Sequence, residues 1–154
     1  MTRTSYTRLS LVAAVVATGA LTPAATAGSR TETLRFFDKP VSITLTQSDG
    51  TVVRHAPYPE AQPGEVLDVY SLDYAGDHRK HAKRWSMSTH LRCVFGDGPP
   101  DCESHVARGN SLLVFRGDRL VAGSGRYAHA TGRVLSNKEV GHTDSSDVVV
   151  RVKR

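Results

Sequence analysis

The stretch from Leu112 to Val134, LLVFRGDRLVAGSGRYAHATGRV, decides the fold of this chain. Two short apolar runs, at 112–115 and 120–122, flank a polar RGDR sequence, which is the pattern of a β-hairpin with a glycine-containing turn. Small residues and one aromatic residue then recur in a dense run: Gly123, Gly125, Tyr127, Ala130 and Gly132. Glycines at this density mark positions where the backbone bends sharply or approaches other backbone. The stretch therefore predicts strands joined by tight turns.

Most of the remaining chain also reads as short strands, with period-two alternation and almost no helical periodicity. The predicted strands span residues 41–46, 51–53, 65–74, 82–95, 102–108, the hairpin at 112–122, 126–135 and 148–153. Strands spaced this evenly predict an all-β domain, either a closed barrel or a sandwich. A nucleotide-binding loop in the glycine run is excluded because no helix follows it and no parallel β-α-β unit surrounds it.

The first 27 residues have the organisation of a secretory signal peptide. Two arginines precede an apolar core at 9–21, and the small-x-small sequence Ala-Thr-Ala at 25–27 fits a cleavage site. We expect cleavage after Ala27, a secreted, extracellular protein and a single mature domain over residues 28–154. A membrane anchor is the alternative interpretation, although the apolar core is too short to span a bilayer comfortably.

The charge balance is only mildly basic, with a formal net charge of +5 over the whole chain. Acidic and basic residues are interspersed, so the composition does not indicate a nucleic-acid partner. The densest basic patch is HRKHAKR at 78–84. One interpretation is contact with an anionic cell-wall polymer or with lipid headgroups, and the other is a solvated hairpin tip.

Cys93 and Cys102 are the two cysteines of the chain, and the secretion signal assigns them to an oxidising compartment. The residues between them are rich in Gly, Asp and Pro, which form a turn that brings the two ends together. We therefore predict a structural disulfide, which stabilises the fold by about 2–3 kcal/mol. A redox pair or a metal site is disfavoured because the spacing is not C-x-x-C and no histidine lies at zinc-finger spacing.

The order of these features resembles the barrel family that contains plant allene oxide cyclases, dirigent proteins and their secreted bacterial relatives. A Pro-Gly-Glu entry at 63–65 leads to a long hairpin and the first cysteine, and the second cysteine precedes an apolar strand. The Gly-Asp turn and the Gly-Ser-Gly-Arg-Tyr run at 123–127 follow. In that family the run reads roughly Gly-Gly-Thr/Ser-Gly-x-Phe/Tyr-x-x-Ala-x-Gly, and here Ala122 stands in place of the first glycine. The resemblance covers residues 65–154.

The resemblance implies an eight-stranded antiparallel β-barrel with an apolar central cavity, often assembled as a homodimer or homotrimer. Plant cyclases close a ring on a fatty-acid epoxide, and dirigent proteins orient phenoxy radicals or quinone methides. Both act mainly by holding a hydrophobic substrate in one conformation. We therefore expect a barrel that binds a hydrophobic small molecule and guides its cyclisation or coupling, as an isomerase or cyclase without a cofactor or metal. The alternative is a non-catalytic extracellular barrel with a binding or structural role.

Three side chains are candidates for a site, although the family's own catalytic groups do not align with this chain and none is transferred. Asp68 and Tyr70 share one face of a predicted strand, and a carboxylate beside a phenol can act as an acid–base pair if both project into a cavity. The alternative is an outward, hydrogen-bonded pair. Tyr127 is a candidate binding residue, with core packing as the other interpretation. The histidines show no H-x-x-x-H or H-x-H spacing, so no metal site is predicted.

Overall fold

The computed structural model describes residues 30–54 and 58–154. The predicted signal peptide and the cleavage site after Ala27 lie outside the described residues. Nine strands follow one another along the chain: β1 (Thr31–Thr46), β2 (Val52–Val53), β3 (Val66–Ala75), β4 (Met87–Val94), β5 (Asp101–Arg108), β6 (Ser111–Arg116), β7 (Arg119–Gly123), β8 (Thr131–Glu139) and β9 (Ser146–Lys153). A short 3-10 helix at Gly125–Tyr127 joins β7 to β8. No helix within the described ranges has the length and apolar character needed to cross a membrane.

The strands form a closed, eight-stranded antiparallel barrel, which is one of the two architectures that the strand pattern predicts and the one that the resemblance implies. Apart from β2, each strand pairs with its neighbours in chain order from β1 through β9, and β9 pairs back with β1 to complete the ring. The short β2 lies outside this ring and pairs only with the far end of β1, at residues 45–46. Closure pairs the backbone groups that an open sheet edge would expose, and this removes a route to aggregation.

Several element boundaries differ from the sequence-based expectation, and β4, predicted from residue 82, begins only at Met87. β1 begins at Thr31, ten residues before the predicted strand at 41–46, and it contains Pro40. The β1–β3 register shifts between Pro40 and Ser42, and such an irregularity accommodates a proline that cannot donate to the ladder. The strand predicted at 126–135 begins only at Thr131, because the chain first turns through the 3-10 helix.

Buried apolar side chains fill one end of the barrel, which we call the closed end. These residues form one contiguous cluster that comprises Leu34, Phe36, Met87, Val106, Leu113, Phe115, Leu120, Tyr127, Ala130, Val150 and Val152. Tyr127, whose side chain is fully buried at 0% exposure, lies in this cluster at the 3-10 helix between β7 and β8. At the opposite end, which we call the open end, the lumen between the strands is not filled.

The glycines of the 123–132 run allow close backbone approach at the closed end. A Cβ atom at Gly123 would collide with the carbonyl oxygen of Tyr127, and one at Gly132 would collide with the carbonyl oxygen of Arg151. Gly125 has a φ of +58°, in the left-handed region that favours glycine. The run therefore sets the backbone path that brings Tyr127 into the core.

The predicted disulfide is present between Cys93 and Cys102, which are also register partners on β4 and β5. The bond closes the turn-rich connection between these two strands at the open end. A disulfide is compatible with an extracellular protein.

Candidate functional site

The candidate site is the lumen of the open end, a cavity of about 690 Å³. Its walls are mainly apolar side chains from the inward faces of the strands, such as Leu67, Val69, Leu91 and Val148. Its floor is formed by core residues that face the open end. Four residues belong both to the lining and to the buried cluster: Phe36, Val106, Phe115 and Val150. A mainly apolar cavity of this volume is typical of a binding site for one small molecule.

Two carboxyl groups lie together in the wall of this cavity. Asp38 on β1 and Asp73 on β3 are register partners in the β1–β3 ladder. Asp38 lines the cavity, whereas Asp73 lies behind it and has 0% exposure. Strand alternation places them there, because Asp38 shares a face with Phe36, and Asp73 shares a face with Leu67, Val69 and Ser71.

The hydrogen bonds around Asp73 leave one of its oxygens without a partner. The hydroxyl of Thr89 donates to Oδ2 of Asp73 over 2.7 Å. Within the described part of the chain, Oδ1 of Asp73 is buried and has no hydrogen-bond partner. Two ionised carboxylates cannot hydrogen-bond each other because neither carries a proton to donate. A proton shared between Asp73 and Asp38 would supply the hydrogen bond that two ionised carboxylates cannot make.

The electrostatics of the pair favour this shared proton. Burial is the main cause that raises the pKa of Asp73 to about 8; the hydrogen bond to Asp38 and the charge of Asp38 raise it further, and the bond from Thr89 opposes them. Burial also raises the pKa of Asp38, while hydrogen bonds from Asp73 and Ser71 counteract that rise. Asp73 therefore favours its protonated form at neutral pH beside the carboxyl group of Asp38, and the two groups titrate as a pair. A proton donor beside a proton acceptor is the chemistry of a general acid–base pair.

The structure places Asp68 and Tyr70 on the outer face of β3, away from this cavity. Nε2 of His90 lies 2.9 Å from Oδ1 of Asp68, and Arg92 donates to the same carboxylate. The Tyr70 ring stacks on the ring of His90, with centroids 4.2 Å apart, and Tyr70 is 48% exposed. The two side chains therefore take the outward arrangement that is the alternative interpretation, because alternation directs their neighbours Leu67 and Val69 inward instead. A catalytic role for Asp68 and Tyr70 stays a prediction, but the two side chains do not lie in the cavity that this role requires.

Tyr127 lies in the core of the closed end and does not line the cavity. Its hydroxyl accepts a hydrogen bond of 2.8 Å from Arg108, which also donates to Glu32. Two further arginines, Arg126 and Arg154, pair with the same Glu32 carboxylate. The position of Tyr127 agrees with the core-packing interpretation, and its candidate role in binding stays a prediction.

Sequence reasoning missed the Asp38–Asp73 pair. Asp38 lies in residues 31–40, where no strand is predicted, so its partner across the sheet is not apparent. Asp73 does carry a signal, because the predicted strand at 65–74 places this carboxylate on the same face as two apolar residues. A charged residue on an otherwise apolar strand face indicates a buried polar group that needs a partner. Within the described ranges, no group of three or more His, Cys, Asp or Glu side chains is arranged to hold a metal ion.

Comparisons of the chain with protein-family models, with curated proteins and with solved structures find no match in any of the three.

Proposed function

We propose that this protein is a barrel that binds a hydrophobic small molecule in its open end and guides the cyclisation or coupling of that molecule. The observation that carries the proposal is the unfilled, mainly apolar cavity of about 690 Å³ above the core. A purely structural barrel of eight strands can be filled by its own side chains, and the closed end of this barrel is filled in that way. The open lumen favours ligand binding over a structural role.

The Asp38–Asp73 pair supports a role in guiding a reaction. In a mainly apolar cavity, the paired carboxyl groups of Asp73 and Asp38 can move a proton to or from a bound substrate through Asp38, which lines the cavity. Proton transfer at a fixed position is suited to isomerisation and ring closure, which need no external oxidant. The order of the Pro-Gly-Glu sequence, the two cysteines and the Gly-Ser-Gly-Arg-Tyr run supports the further proposal that the chain is related to allene oxide cyclase and dirigent barrels.

Retention of ligands from a complex mixture tests the binding role. The purified protein is incubated with extracts of hydrophobic metabolites and re-isolated by gel filtration, and the retained compounds are identified by mass spectrometry. Ser104→Phe places a large side chain in the lumen, whereas Ala107→Phe makes a similar change on the outer face of the same strand. We expect retention by the parent protein and by Ala107→Phe, and loss of retention in Ser104→Phe. Retention of nothing, or equal retention by both variants, contradicts the proposal.

The same experiment separates binding from chemistry. Asp73→Asn preserves the shape of the carboxyl group but removes its transferable proton, so the variant should retain the compound and fail to convert it. Conversion is followed as a change in the mass or the chromatographic position of the retained compound. Full conversion by Asp73→Asn would leave the protein as a binding barrel without this acid–base chemistry.

A second candidate function is binding of an anionic cell-wall polymer through the connection between β3 and β4. This connection exposes Arg79, Lys80, Lys83 and Arg84 together with Trp85, which is 56% exposed. Basic side chains beside an exposed aromatic ring are suited to a negatively charged polymer. Cosedimentation with an anionic wall polymer at low and high salt tests this role. Binding that does not weaken with salt, or that persists in a Lys80→Glu, Lys83→Glu variant, contradicts it.

A further inference from the structure

The charged residues that line the cavity all have the same sign. Asp38 lies in its wall, and Asp118, Glu139 and Asp144 lie where strands and loops form the open end. Among the described residues, no lysine, arginine or histidine lines the cavity. Acidic groups around an apolar cavity create a negative potential that attracts cations and repels anions.

Several other carboxylates of the described chain have a cationic partner, whereas Asp38 in the cavity wall has none. Glu32, Asp68, Glu103 and Asp147 each pair with an arginine or a histidine. Within residues 30–54 and 58–154, Asp38 makes no ion pair. Buried charges in proteins are normally paired. A carboxylate at Asp38 therefore faces the cavity without a cationic partner from the described chain.

Two basic groups border the open end from outside the cavity lining. Lys39 and Arg54 border an adjoining depression, and Asp144 is shared between that depression and the cavity. Asp144 is thus accessible to these two cations, whereas Asp38 does not border the depression. Asp38 is therefore the position at which a charged ligand would have the largest effect.

We propose that the ligand of the lumen is a hydrophobic cation, an amine whose protonated nitrogen lies against Asp38 and whose apolar body lies against Leu67, Leu91 and Val148. This inference rests on the proposed function, because it specifies the ligand class of the same cavity. The apolar walls exclude water from the body of the ligand, and the carboxylate selects its charge. A carboxylic acid of the same carbon skeleton would place a second negative charge beside Asp38 and would bind more weakly.

Competition against an uncharged fluorescent probe tests this inference. N-phenyl-1-naphthylamine, which is neutral at pH 7 and brightens in apolar surroundings, is first titrated into the protein. Decylamine, decanol and decanoate then compete with it at concentrations below those at which they form micelles. They share one alkyl chain, and decylamine is protonated at pH 7 as a lysine side chain is. We expect decylamine to displace the probe at a concentration about tenfold or more below that of decanoate, with decanol between them.

The outcomes separate the inference from the proposed function. Probe binding with equal competition by all three compounds, or with stronger competition by decanoate, overturns the charge preference and leaves the binding function standing. Failure of the probe and of all three competitors to bind overturns both.

Two variants locate the preference. Asp38→Asn should keep probe binding and should reduce the advantage of decylamine over decanol to about twofold or less. Asp97→Asn removes one negative charge from an exposed loop outside the cavity lining, and it should keep the full advantage. Circular dichroism melting establishes that each variant is folded. Loss of the preference in Asp97→Asn, or its persistence in Asp38→Asn, contradicts the assignment to Asp38.

A pH series on the unaltered protein repeats the test without a substitution. Burial raises the pKa of Asp38, so the advantage of decylamine over decanol should decrease as the pH falls, while the binding of decanol stays constant. A constant advantage down to the pH at which the protein unfolds contradicts the inference.

Discussion

Replacement of Asp73 by asparagine should stabilise the protein at alkaline pH, which is the reverse of the usual effect of changing a buried residue. Asparagine has the shape of a protonated aspartic acid. Its side-chain oxygen can accept the hydrogen bond from Thr89, and its amide can donate to Asp38. Both the oxygen and the amide of the asparagine side chain therefore have a hydrogen-bond partner, and the side chain buries no charge.

The magnitude follows from the raised pKa of Asp73. The pKa of Asp73 is about 8 in the folded protein, whereas its ordinary value is 3.8. The folded protein therefore binds this proton more tightly than the unfolded chain does. The contribution of Asp73 to stability is fully present below the unfolded pKa and is lost as the pH rises through the folded pKa. At about 1.36 kcal/mol per pKa unit, the loss between pH 4 and pH 8 has an upper limit of roughly 6 kcal/mol. Solvent that enters the cavity lowers the cost of ionisation, so we expect a measured loss of at least about 2 kcal/mol.

Urea unfolding at pH 5 and at pH 8 measures this effect. The free energy of unfolding of the parent protein should fall by at least about 2 kcal/mol over this interval, whereas that of Asp73→Asn should change much less. Asp38→Asn is the matched variant, because it keeps the Asp73 carboxyl and its burial, which is the largest cause of the raised pKa. It should retain most of the pH dependence. An Asp73→Asn protein that is as pH-dependent as its parent, or less stable than its parent at pH 8, would refute the reasoning.

Three further predictions concern the stability of the barrel. Reduction of the Cys93–Cys102 disulfide should lower the free energy of unfolding by about 2–3 kcal/mol, and equal urea midpoints with and without reductant would exclude this contribution. Gly132→Ala should cost about 1–3 kcal/mol because its Cβ meets a backbone carbonyl of β9, whereas Gly98→Ala, which meets nothing, should change the melting temperature little. Burial opposes ionisation of Glu32, but its arginine partners lower its pKa. The ionised Glu32 therefore stabilises the folded protein above pH 4.5, and this stabilisation is lost as the pH falls. Glu32→Gln should therefore flatten the acid limb of a stability–pH profile, and an unchanged limb would contradict that role.

The barrel could be predicted from the sequence because its strands have strong local signals. Residues 65–74 alternate between the two faces of the sheet, and the glycine run at 123–132 marks the close backbone approaches that the structure contains. Tight turns between antiparallel strands leave few arrangements other than a barrel or a sandwich. The cysteines add a further constraint, because a turn-rich connection of this length brings Cys93 opposite Cys102.

The candidate site could not be predicted, because it depends on pairing between strands and not on local pattern. Asp38 gains a neighbouring carboxyl group only when β1 pairs with β3, because their register places it opposite Asp73. Alternation alone separates Asp68 and Asp73 onto different faces, but it does not say which face is inside. The apolar side chains at 67 and 69 favour the face of Asp73. Asp68 is a sequence-based candidate because it shares a strand face with Tyr70. In the structure this is the outer face, where both groups contact His90.

The two ends of the barrel have different roles, because side chains fill the closed end and leave the open end unfilled. The buried cluster around Tyr127 at the closed end supplies most of the contiguous apolar contact, and the disulfide ties two strands together at the open end. Residues that face only the cavity, such as Val69 and Leu91, contribute less to this cluster, so their replacement has a smaller energetic penalty. The lumen can therefore change its shape and its ligand through substitutions that leave the scaffold folded. The barrel is in this respect a tolerant framework for the diversification of small-molecule recognition.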